Sequence, residues 1–154
     1  MKTIVIYFSA EFGKTSAVAA DFAKSAGADL FEIVPEKPYT KQDLNYMNPL
    51  ARCNKEFAAK KDVPVQGHIE NWDEYDKVFI GFPIWYGHAP NVVQTFCKGY
   101  DWNGKKVYAF ATSGGSGIGK TAEKLAPYVG GAAVLEAKLT QTADALKKWA
   151  QELD

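Results

Sequence analysis

Residues 77–90 read KVFIGFPIWYGHAP, and the fold is predicted most readily from this stretch. The β-branched and aromatic residues at its start indicate a short strand that is buried on both faces. Gly81 and Pro83 are expected to end that strand, because proline has no N–H to donate to a sheet. Trp85 and Tyr86 follow on the next loop. Two large rings there are costly to leave in water, so they either pack on the core or stack on a planar ligand.

The composition is that of one ordinary globular domain, which we place at residues 1–154. The chain is 47% hydrophobic and 23% charged, and its formal net charge is zero. A zero net charge gives no electrostatic case for binding nucleic acid or a membrane surface. Cys53 and Cys97 show neither a disulfide framework nor a metal-ligand spacing, so we expect no metal site. Residues 3–8 read as a strand and not as a signal peptide, and we expect a reducing, cytoplasmic location.

The first unit of the chain is predicted to be a strand, a loop rich in hydroxyl groups, and a helix that ends at Gly27. The amino end of such a helix offers free backbone N–H groups and the positive end of the helix dipole, which favour an anion. Ser9, Thr15 and Ser16 add hydroxyl donors, and Lys14 adds a charge. Plain helix capping by serine or threonine is the alternative explanation.

Strands and helices alternate along the whole chain, which is typical of an α/β fold with a parallel, doubly wound sheet. We interpret residues 35–76 as an ordered excursion between the second and third strands. Ligands of such sheets bind beyond the carboxyl ends of the strands, so the loops after the first, third and fourth strands are expected to meet. The remaining predicted strands are 29–34, 77–82, 105–112 and 132–135, and the later helices are 91–100, 121–126 and 144–153.

One motif favours a different ligand. Residues 114–121 read GGSGIGKT, which matches G-x-x-x-x-G-K-[ST] of nucleotide triphosphate loops. Such a site also needs an acidic residue at the end of another strand to hold Mg²⁺, and no predicted strand ends in one. We therefore predict that this loop does not bind ATP or GTP. The other interpretation is a monophosphate ligand with a planar ring, which suits flavin mononucleotide (FMN).

Four stretches of the chain resemble the bacterial flavodoxin-like family: residues 5–15, 38–45, 81–90 and 111–119. The most specific are Pro-Ile-Trp-Tyr-Gly at 83–87 and Thr-Ser-Gly-Gly-Ser-Gly at 112–117. The resemblance implies a flavodoxin-like three-layer sandwich with a five-stranded parallel sheet of order 2-1-3-4-5. It also implies FMN as the cofactor. The first loop departs from the family pattern, since it is one residue longer and places Glu11 and Phe12 where a hydroxyl residue is usual.

By this resemblance three groups of residues would hold FMN, and none would act as a general acid or base. The resemblance favours an electron-transfer protein with a redox partner protein, as a monomer or homodimer, and an NAD(P)H-dependent reductase of quinones or small molecules is the alternative. The phosphate would lie at Ser9, Gly13, Lys14, Thr15 and Ser16, one side of the ring at Pro83, Ile84, Trp85, Tyr86 and Gly87, and its other edge at Thr112, Ser113, Gly114, Gly115 and Gly117.

Overall fold

The computed structural model describes residues 2–9, 14–37, 47, 50–52, 63–84, 89–112, 118 and 121–153. Its elements in chain order are β1 (Lys2–Tyr7), α1 (Lys14–Ala26), β2 (Asp29–Glu32), β3 (Val34–Pro35), β4 (Val65–Gln66), β5 (Tyr75–Pro83), α2 (Asn91–Cys97), β6 (Lys106–Thr112), α3 (Thr121–Leu125), β7 (Val134–Leu139) and α4 (Ala143–Glu152). Single 3₁₀ turns precede β5 and follow α3, at Trp72–Glu74 and Ala126–Tyr128. Within this part of the chain no helix has the length and apolar character to cross a membrane.

The main sheet has five parallel strands in the order β2-β1-β5-β6-β7. Counted along the sheet strands alone, this is the predicted order 2-1-3-4-5. β3 and β4 instead form a separate antiparallel pair. The predicted α/β fold class and strand order are therefore confirmed, and the short hairpin-like pair belongs to the excursion between the second and third sheet strands.

Each face of the sheet carries its own hydrophobic core, because the side chains of successive strand residues point to opposite faces. On one face Phe22 of α1 packs on Phe79 with ring centroids 4.9 Å apart, and Trp149 of α4 packs on Tyr108 at 6.0 Å. On the other face the buried strand residues lie with the buried residues of α2 and α3. The central strands are thus covered on both sides, as their continuous apolar sequences predict.

Gly81 does not end its strand, which corrects one sequence-based expectation. β5 continues through Gly81 and ends at Pro83. A Cβ atom at Gly81 would lie 2.1 Å from Cζ of Phe110, so the glycine gives room for that ring to lie across the strand. Pro83 is the last strand residue, in agreement with its lack of an N–H donor.

Several other boundaries also differ from the predictions. The last strand starts at Val134 and runs to Leu139, whereas the second strand already ends at Glu32. The α2 helix ends at Cys97 and not at residue 100, and its N-cap residue is Pro90. Asn48 and Pro49 are typical of the start of a helix, but residues 49–57 lie mostly outside the described part of the chain. Trp72 and Tyr75, just before and at the start of β5, are buried, with 6% and 4% of their surface exposed.

Candidate functional site

The carboxyl ends of β1, β5 and β6 lie side by side. Tyr7 of β1 pairs in register with Gly81 of β5, and Pro83 of β5 pairs with Thr112 of β6. The contacts continue one residue past the strands, since Phe8 N donates to the Gly81 carbonyl at 2.9 Å and Ile84 N donates to the Thr112 carbonyl at 2.8 Å. The three loops that sequence analysis singled out therefore begin at adjacent points on one edge of the sheet.

The amino end of α1 follows β1 at this edge. The Ser9 hydroxyl oxygen accepts a hydrogen bond of 3.2 Å from Ser16 N, so it caps the third residue of the helix. Helix capping and anion binding both occur at the start of a helix, because the first backbone N–H groups have no partner within the helix. The first turn contains Lys14 and no acidic residue, so its electrostatic potential favours an anion.

Tyr7 and Glu32 form a small polar cluster with Ser16. The Tyr7 hydroxyl hydrogen-bonds the side chains of both Ser16 and Glu32, and its burial, with Glu32 as a further cause, raises its pKa above the ordinary value. A protonated phenol thus stands between the Glu32 carboxylate and the helix start. Sequence analysis did not single out these two residues, because each is placed at the site only by the pairing of β1 with β2.

Thr15 and Thr112 join the helix start to the end of β6. Their hydroxyl oxygens are 2.7 Å apart, and each residue has only 2% of its surface exposed. The Thr15 side chain is therefore directed into the protein, towards β6, and its hydroxyl is already engaged. This contact ties the start of α1 to the end of β6, across the end of β5.

The sequence as a whole matches a known family. The family model described as Flavodoxin matches residues 2–153. This chain belongs to the flavodoxin family. The resemblance found in its loop sequences is therefore confirmed. No curated protein matches the chain.

Solved structures of the same fold cover nearly the whole of this flavodoxin-family chain. A proposed flavoprotein from Bacteroides eggerthii DSM 20697 is 37% identical with a TM-score of 0.90, over 99% of this chain and 97% of that one. A flavoprotein from Lactobacillus acidophilus NCFM, solved in complex with FMN, is 21% identical with a TM-score of 0.74, over 97% and 98% of the two chains. A proposed quinone reductase from Klebsiella pneumoniae is 17% identical with a TM-score of 0.53, over 100% of this chain and 84% of that one. The last two likenesses bear on the fold alone.

The described part of this flavodoxin contains seven of the predicted cofactor residues, all at this edge of the sheet or at the start of α1. These are Ser9, Lys14, Thr15, Ser16, Pro83, Ile84 and Thr112. The other predicted residues lie outside the described part of the chain, so their assignment stays a prediction; they are Gly13, Trp85, Tyr86, Gly87, Ser113, Gly114, Gly115 and Gly117. Glu11, Phe12 and His88 lie outside it as well.

Thr121 bears on the triphosphate motif. In a nucleotide triphosphate loop the hydroxyl at this position would ligate Mg²⁺. In this flavodoxin Thr121 is fully buried and its hydroxyl donates to the Ile118 carbonyl. This bond turns the Thr121 hydroxyl back on its own loop. The expectation that the motif binds no triphosphate stays a prediction.

Thr140 is a polar residue at the site edge that sequence analysis missed. It directly follows β7, and its N–H donates to the Ala111 carbonyl at 2.9 Å. Its hydroxyl is buried and has no hydrogen-bond partner among the residues that the structure describes. The sequence prediction ended the last strand at residue 135, which left Thr140 far from the strand end where it actually lies.

Proposed function

We propose that this flavodoxin-family protein binds one FMN and serves as a one-domain electron-transfer protein in the cytoplasm. The observation that carries the proposal is that β1, β5 and β6 end side by side, so that the three loops begin at adjacent points. The backbone bonds Phe8 to Gly81 and Ile84 to Thr112 fix that arrangement. In open α/β sheets, ligands bind at this edge of the strands.

The helix start fits the phosphate group of FMN. A phosphate has only acceptor atoms under neutral conditions, and the site offers N–H groups, the Ser9 and Ser16 hydroxyls and the Lys14 side chain. The absence of acidic residues from the first turn of α1 removes a direct source of repulsion. The family membership and the FMN complex of the Lactobacillus acidophilus protein both support this choice of cofactor.

The ring of FMN would lie between the loops that leave β5 and β6. Bound FMN would supply the redox chemistry, since its ring accepts and releases electrons. The chain's own residues would bind the ring, orient it and keep water from part of it. Pro83 and Ile84 begin one wall and Thr112 begins the other, and the predicted stacking residues Trp85 and Tyr86 belong to the first loop.

Titration of the apoprotein with FMN and with riboflavin tests the cofactor assignment. We expect quenching of flavin fluorescence and tighter binding of FMN, because riboflavin lacks the phosphate. Ser9→Ala should lower the affinity for FMN more than that for riboflavin, whereas Ser25→Ala, at the exposed opposite end of α1, should change neither. Equal affinities of the wild type for both flavins would contradict the phosphate site, and the absence of quenching by either would contradict flavin binding.

Mixing the oxidised holoprotein with NADH or NADPH separates electron transfer from reductase activity. A carrier should stay oxidised in a stopped-flow experiment until a reductase protein is added, because the proposed partner is a protein. Rapid bleaching of the flavin by the nucleotide alone, followed by turnover with a quinone, would instead support a small-molecule reductase. The zero net charge weakly disfavours a strongly charged docking surface.

A further inference from the structure

Thr112 is hydrogen-bonded to residues on two other elements of the candidate site. Its backbone carbonyl accepts the 2.8 Å bond from Ile84 N, at the beginning of the loop that carries Trp85 and Tyr86. Its hydroxyl lies 2.7 Å from that of Thr15, near the start of α1. It is also the last residue of β6, so the glycine-rich loop departs from it. One residue therefore contacts both the beginning of the loop that follows β5 and the helix turn that follows the first loop.

The contact between Thr15 and Thr112 is well shielded from water, since both residues are 2% exposed. Hydrogen bonds between buried hydroxyls carry a consequence that surface bonds lack. Loss of one hydroxyl leaves the other buried without this partner, which costs more than the bond itself contributes on balance. The pair therefore resists any change in the separation of α1 and β6.

A fixed separation matters only to a ligand that uses both sides of it. FMN would have its phosphate at the start of α1 and its ring beside β5 and β6, whereas riboflavin would use the ring position alone. Preorganisation of two subsites lowers the free-energy cost of binding for a ligand that engages both of them. A site of this kind distinguishes FMN from riboflavin partly through its geometry.

We propose that Thr112 is a positioning residue that sets the spacing between the phosphate and ring subsites through the hydroxyl of Thr15. The inference rests on the proposed function, because it concerns the same FMN site. It gives Thr112 a role that differs from direct contact with the ring. It also gives the Thr15 hydroxyl a structural partner within the protein, in place of direct and exclusive binding of phosphate.

The test compares Thr112→Val, Thr15→Val, the double variant and Thr112→Ser with the wild type. Each purified protein is titrated with FMN and with riboflavin, and its unfolding without ligand is recorded. We expect Thr112→Val to weaken FMN binding about tenfold and riboflavin binding less than about threefold. The variant leaves the buried Thr15 hydroxyl without this partner, and Thr15 lies on the phosphate side of the site. Thr112→Ser keeps the hydroxyl and should restore the FMN preference.

The double variant is the sharper measurement. Two residues that act through one bond are non-additive, so the double variant should lose no more FMN preference than either single variant. If Thr112→Val does not fold, the double variant and Thr15→Val provide the same comparison, because the double variant leaves neither hydroxyl without its partner. The matched control is Thr3→Val, a half-buried strand threonine at the opposite end of the sheet, which should keep the preference.

Three results would overturn the inference. If Thr112→Val kept the wild-type preference for FMN while Thr15→Val lost it, Thr15 would be a direct phosphate ligand. If Thr112→Val instead weakened the binding of FMN and of riboflavin equally, the pair of hydroxyls would be merely structural. If the losses of FMN preference in the two single variants added up in the double variant, Thr15 and Thr112 would act independently. A wild type that binds neither flavin would contradict the proposed function itself, so the two failures are distinguishable.

Discussion

The amino and carboxyl ends of the sheet differ in how far their buried polar groups are paired by hydrogen bonds. At the amino end, Lys105 is 7% exposed, and its Nζ donates to the carbonyls of Trp72, at 3.2 Å, and Tyr75. The same nitrogen lies 4.8 Å from the centre of the Trp72 ring. Trp72 Nε1 donates to the Asp101 carbonyl at 2.6 Å, and the Tyr75 hydroxyl donates to Asp29 at 2.5 Å. Each of these groups is satisfied within the protein.

The carboxyl end is less complete. The Thr140 hydroxyl is buried and has no hydrogen-bond partner among the residues that the structure describes. A scaffold gains stability when its own groups satisfy one another, whereas a binding site keeps capacity for a ligand. On the proposed function, we expect the amino end to serve mainly stability and the carboxyl end to serve ligand binding.

The largest effect on the free energy of unfolding is expected for Gly81→Ala, in the carboxyl half of β5, where steric fit matters and hydrogen bonding does not. The new Cβ would lie 2.1 Å from Phe110 Cζ, and the Phe110 side chain is fully buried. We expect urea denaturation to show a loss of about 3 kcal/mol in the free energy of unfolding. Gly130→Ala is the control, since its Cβ would meet no atom within 4 Å. A Gly81→Ala loss no greater than that of the control would show that the ring adapts.

Lys105→Met should cost less, about 2–3 kcal/mol of unfolding free energy, because it keeps the apolar stem and removes the donor to two carbonyls. Lys124→Met, at an exposed position of α3, should change stability little. Since Lys105 serves the scaffold end, its variant should keep the wild-type ratio of FMN to riboflavin affinity. A changed ratio in the folded variant would break the division between the two ends.

Thr140→Val should have the opposite effect and increase the free energy of unfolding by about 1 kcal/mol, because it removes a buried hydroxyl that has no partner among the described residues. Thr142→Val is a close control. The Thr142 hydroxyl accepts a 3.1 Å bond from Ala145 N at the start of α4, so its loss should cost about 1 kcal/mol. Denaturation curves that show Thr140→Val to be destabilising would reveal a partner for that hydroxyl.

Alkaline pH should produce the smallest of these effects, at both ends of the sheet. Burial raises the pKa of Tyr7 and of Tyr75 above the ordinary value of 10.0, and the neighbouring carboxylates Glu32 and Asp29 raise it further. The unfolded chain then loses these protons first, so stability is complete below about pH 10 and falls as pH rises further. Tyr75→Phe should reduce the slope of unfolding free energy against pH above that value. An unchanged slope would contradict the contribution of Tyr75.

Periodicity and apolar content predicted the buried strands and their parallel, doubly wound sheet, because buried parallel strands need continuous apolar sequence. The strand order was implied by the resemblance to the flavodoxin-like family. Some boundaries could not be predicted, since distant residues set them. Gly81 is a strand residue because the ring of Phe110 occupies the space beside it. The last strand extends to Leu139 because it pairs with β6, although Glu136 and Lys138 interrupt its apolar pattern.

The candidate site shows the same limit. Sequence motifs identified Thr15 and Thr112 as separate members of two loops, since each stands in a recognisable local pattern. Their contact depends on the direction of two side chains across the end of β5, which no local pattern specifies. Tyr7 was missed for a related reason, because its neighbour Glu32 reaches it only through the pairing of β1 and β2.

The bond between Thr15 and Thr112 also sets an order of events during synthesis. The two residues are 97 positions apart in the chain. At about 5–20 residues per second, a ribosome needs roughly 5–20 s to progress from one to the other. A nascent chain therefore carries the first loop for several seconds before β6 exists to hold it, and we expect cofactor loading to wait until that strand has left the ribosome.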